Sequence, residues 1–178
     1  MGRFQIPQAI VPASVGGKTL LSTTALTGNS VTVSNINQGY TDLFFVYRDV
    51  YFSVDGKPIY MILNADSANN TFGWWSTSSG TLTVETTRNQ AYMTLAKSTG
   101  ATSSSTYLST GAFTIANYTS TGTKTVFGNS MSLTNAPAYT ISTLTGAYYG
   151  TSGVSSINLY TSGADTFSGG SLLIYGVK

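Results

Sequence analysis

Short runs of strand-forming residues, separated by turn residues, recur along the whole chain. Thr, Val, Ile, Tyr and Phe dominate these runs, and no window sustains the 3.6-residue apolar period of an amphipathic helix. The pattern predicts strands at 18–27, 30–36, 42–54, 57–65, 80–87, 90–97, 111–119, 123–127, 130–133, 139–149, 154–161 and 171–177. Many short strands at this spacing are typical of an all-β sandwich or barrel and disfavour alternating β and α units.

Two Gly-Asn dipeptides are typical of the tight turns that join hairpin strands. Gly28-Asn29 lies between the first two predicted strands, and Gly128-Asn129 interrupts a later pair of runs. Glycine at the first central position is the signature of a type II′ turn, which matches the twist of two antiparallel strands. The sequence therefore predicts a hairpin at each dipeptide.

The run 42–54 is apolar on both of its faces. Phe44 begins one apolar set and Leu43 begins the other. A strand of this kind is covered on both sides, so we expect it at the centre of a sheet or with one face against a partner subunit. Arg48-Asp49 interrupts both faces at once, which indicates a β-bulge or a charge-paired edge.

The first 17 residues differ from the rest because prolines interrupt their apolar residues. Proline lacks a backbone donor and is excluded from central strands, so we expect this segment to be extended. We divide the chain into an extended N-terminal arm, 1–17, and a single domain, 18–178. The arm residues expected to bind a partner are Phe4, Ile6, Pro7, Ile10, Val11 and Pro12. Because no apolar run is long enough, we expect neither a secretory signal nor a membrane partner.

The composition removes several classes of chemistry. The chain has no Cys and no His, so it forms no disulfide, no thiol nucleophile and no Ser-His-Asp triad. A net charge of +2, from 8 Lys and Arg against 6 Asp and Glu, gives no basic surface for nucleic acid. Since only 8% of residues are charged, hydroxyls and amides must cover most of the surface.

The acidic residues are the remaining candidates for catalysis. A glycosidase needs two carboxylates on either side of the bond it cleaves. Asp55 and Asp165 lie near turn glycines, and Asp42 starts a strand, where acids commonly cap. The full set is Asp42, Asp49, Asp55, Asp66, Glu85 and Asp165. We therefore expect turn and edge acids, no enzymatic activity and no cofactor.

An oxygen-rich group of side chains is a candidate calcium site. Its members are Asn64, Asp66, Asn69 and Asn70. They lack the spacing of an EF-hand loop, so we favour a loop held by side-chain-to-backbone hydrogen bonds and expect no bound metal.

Trp74 and Trp75 are the candidate interface aromatics. Successive side chains of a strand point to opposite faces, so at most one of the two faces the core. The other is left to contact a protein or stack on a sugar, unless neighbouring loops bury both.

Three segments of the chain resemble a family of viral proteins. They are ALTGNSVTVSNINQGYTDLFFVYR (25–48), FTIANYTSTGTKTVF (113–127) and SSINLYTSGADTFSGGSLLIYGVK (155–178), in this order. Together they are similar to virion proteins of tailed bacteriophages that serve as capsid cement or decoration proteins, head fibres and tail-fibre modules. The most characteristic part is the closing Gly169-Gly170-Ser171, followed by Leu173-Ile174-Tyr175-Gly176.

The resemblance implies an antiparallel jelly-roll-like β-sandwich without enzymatic activity, assembled into a virion. The leading expectation is a capsid cement protein on the outer face of a phage shell, with the arm along a neighbouring subunit. Its partners would be the major capsid protein or other virion proteins, and the chain is expected to form a homo-oligomer. The alternative is a glycan-binding or receptor-binding module of a fibre or tail, with Trp74 and Trp75 at the contact.

Overall fold

The computed structural model describes residues 17–54, 56–78, 81–99, 106–133 and 139–178. The predicted arm residues Phe4, Ile6, Pro7, Ile10, Val11 and Pro12 lie outside these ranges. Within them, no helix is long and apolar enough to cross a membrane.

The described residues form strands, which we number β1 to β12 in chain order. Their bounds are β1 Lys18–Ala25, β2 Ser30–Val33, β3 Asp42–Phe52, β4 Lys57–Leu63, β5 Asn70–Ser78, β6 Thr81–Gln90, β7 Met93–Thr99, β8 Ser109–Ala116, β9 Lys124–Leu133, β10 Tyr139–Tyr148, β11 Ile157–Tyr160 and β12 Phe167–Val177. Most predicted strands match within a few residues. The exception is β5, because its glycine and hydroxyl residues dilute the apolar pattern.

Two antiparallel sheets enclose one apolar core. The larger sheet has the order β1-β12-β3-β8-β9-β10-β5-β6, and the smaller has the order β2-β11-β4-β7. Phe45 and Phe113 of the larger sheet share the buried cluster with Met61 and Leu159 of the smaller one. The prediction of an all-β antiparallel sandwich is confirmed.

The path of the chain between the sheets explains their unequal size. Successive strands lie in opposite sheets except at three places, where β5–β6, β8–β9 and β9–β10 are antiparallel neighbours in the larger sheet. Jelly rolls consist of two such antiparallel sheets. The jelly-roll assignment stays a prediction.

The hairpin predicted at Gly28-Asn29 is wrong, because the two strands that it joins lie in different sheets. β1 pairs with β12, whereas β2 pairs with β11. Gly28 has a φ of 69°, a conformation that glycine adopts without steric cost. The Asn29 side chain donates hydrogen bonds of 2.9 Å to the carbonyls of Gly163 and Asp165. The dipeptide therefore carries the chain from one sheet to the other.

The hairpin predicted at Gly128-Asn129 is also wrong, because both residues lie within β9. This strand pairs without interruption with β8 on one side and β10 on the other. A Cβ atom on Gly128 would lie 2.2 Å from the Ala112 carbonyl oxygen and 2.5 Å from a ring carbon of Phe113. Glycine stands here because the neighbouring strand approaches closely.

The bulge predicted at Arg48-Asp49 is confirmed. Asp49 has a φ of 58°, and the register between β3 and β8 shifts between Tyr47 and Val50. The extra residue moves the buried positions from odd to even numbers, so that Tyr47 and Val50 are both fully buried. β3 also lies centrally, between β12 and β8, as its two apolar faces predict.

Candidate interaction surface

The adjoining halves of strands β9 and β10, Ser130–Leu133 and Tyr139–Ser142, place large apolar side chains towards solvent and small hydroxyl side chains towards the interior. On β9, Phe127 and Met131 are exposed while Ser130 is buried. On β10, Ile141 is exposed while Ser142 is buried. This polarity is the reverse of an ordinary sandwich strand, in which the apolar residues face the core.

The close approach of the smaller sheet accounts for the buried hydroxyls. β7 packs against β9 and β10, and small side chains allow it to approach their backbones. The Ser130 hydroxyl donates a 2.8 Å hydrogen bond to the Leu95 carbonyl of β7, and the Ser109 and Ser132 hydroxyls are 2.7 Å apart. These bonds compensate the cost of burying the hydroxyls of β8 and β9, whereas the buried Thr140 and Ser142 hydroxyls of β10 have no hydrogen-bond partner in the described structure.

Exposed apolar side chains share one face of four neighbouring strands, with hydroxyl and amide side chains among them. Met131 lies opposite Ile141, and Trp75 lies opposite Val84. We call this patch the outer apolar face: Trp75, Leu82, Val84, Phe127, Met131, Leu133, Tyr139 and Ile141, which are 37–64% exposed. The exposure of these side chains does not stabilise the fold, because moving apolar groups out of water lowers the free energy. Exposed patches of this kind mark contact sites.

The centre of the outer apolar face is polar but uncharged. The Thr143 hydroxyl donates a 2.7 Å hydrogen bond to the side-chain oxygen of Asn129, its neighbour across the strands. Because neither group is charged and one hydrogen bond already links them, a partner could cover them without leaving a charge buried and unpaired.

The structure places the candidate aromatics on β5. Trp75 lies on the outer apolar face and is 41% exposed. The backbone of Trp74 pairs with Leu144 and Glu85, and its side chain lies outside the described part of the structure. Sequence reasoning missed the other members of the face. Dividing β9 at Gly128-Asn129 concealed the alternation that places Phe127 and Met131 on one side.

The oxygen-rich group at the end of β4 is a hydrogen-bonded loop, as the favoured interpretation states. The Asn64 side-chain oxygen accepts hydrogen bonds from the backbone N–H groups of Ser155 (2.8 Å) and Ser156 (3.2 Å). Its amide nitrogen donates to the Gly153 carbonyl at 2.9 Å. The described residues contain no group of three or more acidic residues that could hold a metal ion.

Asp66 tightens the same loop. Its carboxylate accepts hydrogen bonds from the Asn69 side chain (2.7 Å), the Ala68 backbone (3.0 Å) and the Tyr148 hydroxyl (3.2 Å). The bond from Asn69 is the largest of the effects that hold the pKa of Asp66 below its usual value. These three hydrogen bonds use most of the carboxylate's acceptor sites to hold the loop together.

Replacement of Asn64 should loosen the connection between β4 and β11. We expect Asn64→Ala to lower the free energy of unfolding by about 1–3 kcal/mol, because two backbone donors lose their acceptor. Asn64→Asp keeps an acceptor and should cost less. Urea denaturation measures both, and an equal loss in the two variants would contradict this role.

Other acids lie apart, each with a local partner. The Asp42 carboxylate accepts a 2.8 Å hydrogen bond from the Asn117 backbone, and Asp165 forms a 2.7 Å ion pair with Lys57. Asp55 lies outside the described residues. The described partners of Asp42 and Asp165 agree with the expectation of turn and edge acids.

Comparison with known proteins assigns no family. No family model matches the sequence, and no curated protein is similar to it at a significant level. Among solved structures, a similarity exists to the "CBM2 module of Lactobacillus casei BL23 phage J-1 evolved Dit", at 9% identity over 83% of this chain and 68% of that chain. The TM-score of 0.18 is too low to establish a shared fold.

Proposed function

We propose that this protein is a non-enzymatic structural protein of a bacteriophage virion, and specifically a cement protein on the capsid surface. The observation that carries the proposal is the outer apolar face, an uncharged patch on the larger sheet. It suits a partner protein whose complementary surface is also apolar. The resemblance of the sequence to phage virion proteins supports a partner within the virion, and we propose that this partner is the shell.

The size of the patch implies a second contact. Four strands about 4.8 Å apart, each contributing about six residues, give a flat area of about 400 Å². A stable interface of standard size needs about 800 Å² from each partner. We assign the remainder to the N-terminal arm, whose apolar residues include Phe4, Ile6, Ile10 and Val11.

Such a protein stabilises the shell by mass action. It binds assembled subunits and not free ones, so each bound copy lowers the free energy of the assembled state. Apolar contacts of this type depend little on salt, in contrast to exposed ion pairs. The absence of histidine removes the side chain that ordinarily titrates between about pH 5 and 8.

Charged substitutions on the outer apolar face should abolish decoration. Met131→Asp and Ile141→Asp each place a carboxylate in the proposed contact, and we expect binding to stripped particles to weaken about a hundredfold. Thr121→Asp adds the same charge at an exposed turn away from the face and should bind normally. Sedimentation of protein with particles measures occupancy. Normal occupancy of both face variants would exclude the face as the contact.

Deletion of residues 2–16 tests the second contact separately. Occupancy should fall while the thermal stability of the free protein is retained. Undiminished occupancy would show that the arm does not contribute to binding.

Immunogold labelling of intact virions distinguishes the position of the protein. Label over the whole head supports a cement protein. Label confined to the tail or fibre tips favours the adhesion module, and unlabelled particles would overturn the virion assignment.

A further inference from the structure

A cleft on the other side of the larger sheet gathers aromatic and polar side chains. Its volume is about 320 Å³, and it lies where β4, β5 and β6 meet the start of β7. Glu85 lines it and directly follows Val84 of the outer apolar face, so the two side chains point to opposite sides of β6. The lining residues are Pro58, Tyr60, Phe72, Glu85, Gln90, Tyr92 and Thr94.

Two half-buried tyrosine rings, Tyr60 and Tyr92, form one wall of this cleft, and a third, Tyr160, packs beside Tyr60. The ring centroids of Tyr60 and Tyr92 are 4.1 Å apart, and those of Tyr60 and Tyr160 are 5.2 Å apart. An aromatic cage for an ammonium group must leave room for the cation between its rings. These rings are in contact with one another, so the cluster offers a packed apolar wall and not a cage.

Hydrogen-bonding groups surround the aromatic wall. Glu85 supplies a carboxylate acceptor, Gln90 supplies an amide, and the tyrosine hydroxyls supply both donors and acceptors. The Gln90 amide is held in place, since its nitrogen donates a 3.0 Å hydrogen bond to the Arg88 carbonyl. The cleft is therefore apolar on one side and richly polar at its edge.

The hydroxyl of Tyr60 stays protonated well above neutral pH. Its pKa is raised to about 12, chiefly by burial and to a smaller extent by the neighbouring Tyr92 and the Glu85 carboxylate. At physiological pH this hydroxyl is protonated and hydrogen-bonded to the Tyr92 side chain.

We propose that this cleft binds carbohydrate, with one pyranose ring against the tyrosine wall. A pyranose has an apolar C–H face that packs on aromatic rings, and a rim of hydroxyls that both donate and accept hydrogen bonds. The cleft provides both kinds of surface, and its volume lies at the lower end for small-ligand sites. The described lining contains one carboxylate, Glu85, whereas hydrolysis of a glycoside requires two, so the site binds without cleaving.

Titration with methyl glycosides tests the proposal. The probes are the methyl pyranosides of glucose, galactose, mannose and N-acetylglucosamine, at millimolar concentrations. NMR detects binding through shifts of the tyrosine ring signals. We expect at least one glycoside to shift the signals of Tyr60 and Tyr92 while the signals of Tyr139, on the outer apolar face, stay unchanged.

Matched variants distinguish a loss of binding at the cleft from a loss of folding. Glu85→Gln preserves shape and should weaken binding at least tenfold, and so should Tyr92→Ala. Tyr139→Ala removes a tyrosine that is 50% exposed elsewhere and should bind normally. Thermal unfolding verifies that each variant is folded, and Glu85→Gln carries the test if Tyr92→Ala is not.

Three results would overturn the proposal. The first is that no glycoside shifts the cleft signals, and the second is that Glu85→Gln binds as tightly as the unaltered protein. The third is that choline or arginine methyl ester binds more tightly than every glycoside, which would make the cleft a cation site. None of these results bears on capsid docking, because that contact lies on the opposite side of the larger sheet.

Discussion

Gly128→Ala should lower the free energy of unfolding by about 3 kcal/mol or more, at the upper end of what overpacking costs. The added methyl group would overlap the Ala112 carbonyl oxygen at 2.2 Å and the Phe113 Cα at 2.6 Å. Both atoms belong to the backbone of β8, which is fixed by its pairing with β3 and β9. The strain therefore cannot be relieved by a rotamer change. The melting temperature should fall by roughly 6–12 °C.

Gly73→Ala is the matched control for this substitution. Gly73 also lies within a strand of the larger sheet, but the nearest atom to an added Cβ is the Thr145 carbonyl oxygen at 3.8 Å. We expect a neutral or slightly stabilising effect, since alanine loses less backbone entropy on folding. Calorimetry compares the two. Equal melting temperatures of the two variants would show that close packing is not the reason for glycine at position 128.

The stability of the protein should be unchanged in mild alkali and should fall only in strong alkali. Burial raises the pKa of Tyr47 from 10.0 to about 12, and the hydroxyls of Ser130 and Ser109 oppose that shift only in part. Tyr60 and Tyr160 also have pKa values of about 12, chiefly because of burial. A folded-state pKa above the unfolded value stabilises the fold below pH 10, and this stabilisation is lost as the pH rises towards 12.

The size of the alkaline effect follows from the shift at Tyr47. The rise of the Tyr47 pKa from 10.0 to about 12 corresponds to about 2.7 kcal/mol of folding free energy. Tyr60 and Tyr160 add less, because they are more exposed and solvent screens them. Urea denaturation from pH 8 to 12 should show a constant free energy of unfolding followed by this loss. Tyr47→Phe removes the titrating hydroxyl and should reduce the loss, whereas Tyr149→Phe, at an exposed position, should not. An unchanged alkaline loss in Tyr47→Phe would contradict the assignment.

The two sides of the larger sheet offer different chemistry. The outer apolar face suits a protein partner, and the tyrosine cleft suits a small polar ligand. A cement protein that docks through the first would leave the second directed away from the shell. Both proposals can be tested in one protein, because the variants that affect one surface lie outside the other.

The sequence by itself determines the class of fold and much of its detail. Strand propensity and two-residue alternation locate most strands, and the Arg48-Asp49 interruption identifies a bulge, because both are local properties of the backbone. The absence of Cys and His likewise excludes thiol and imidazole chemistry without reference to any structure. The candidate interface is predicted only in part, through Trp75.

Only the tertiary structure decided which strands pair and what each face meets. Gly28-Asn29 and Gly128-Asn129 look alike in sequence, yet the first connects two sheets and the second lies inside β9. Local sequence cannot separate them, because the choice depends on Phe113, a residue of another strand. The same holds for Met131 and Ser130: alternation shows that they face opposite sides, and the position of β7 decides that the serine is the buried one.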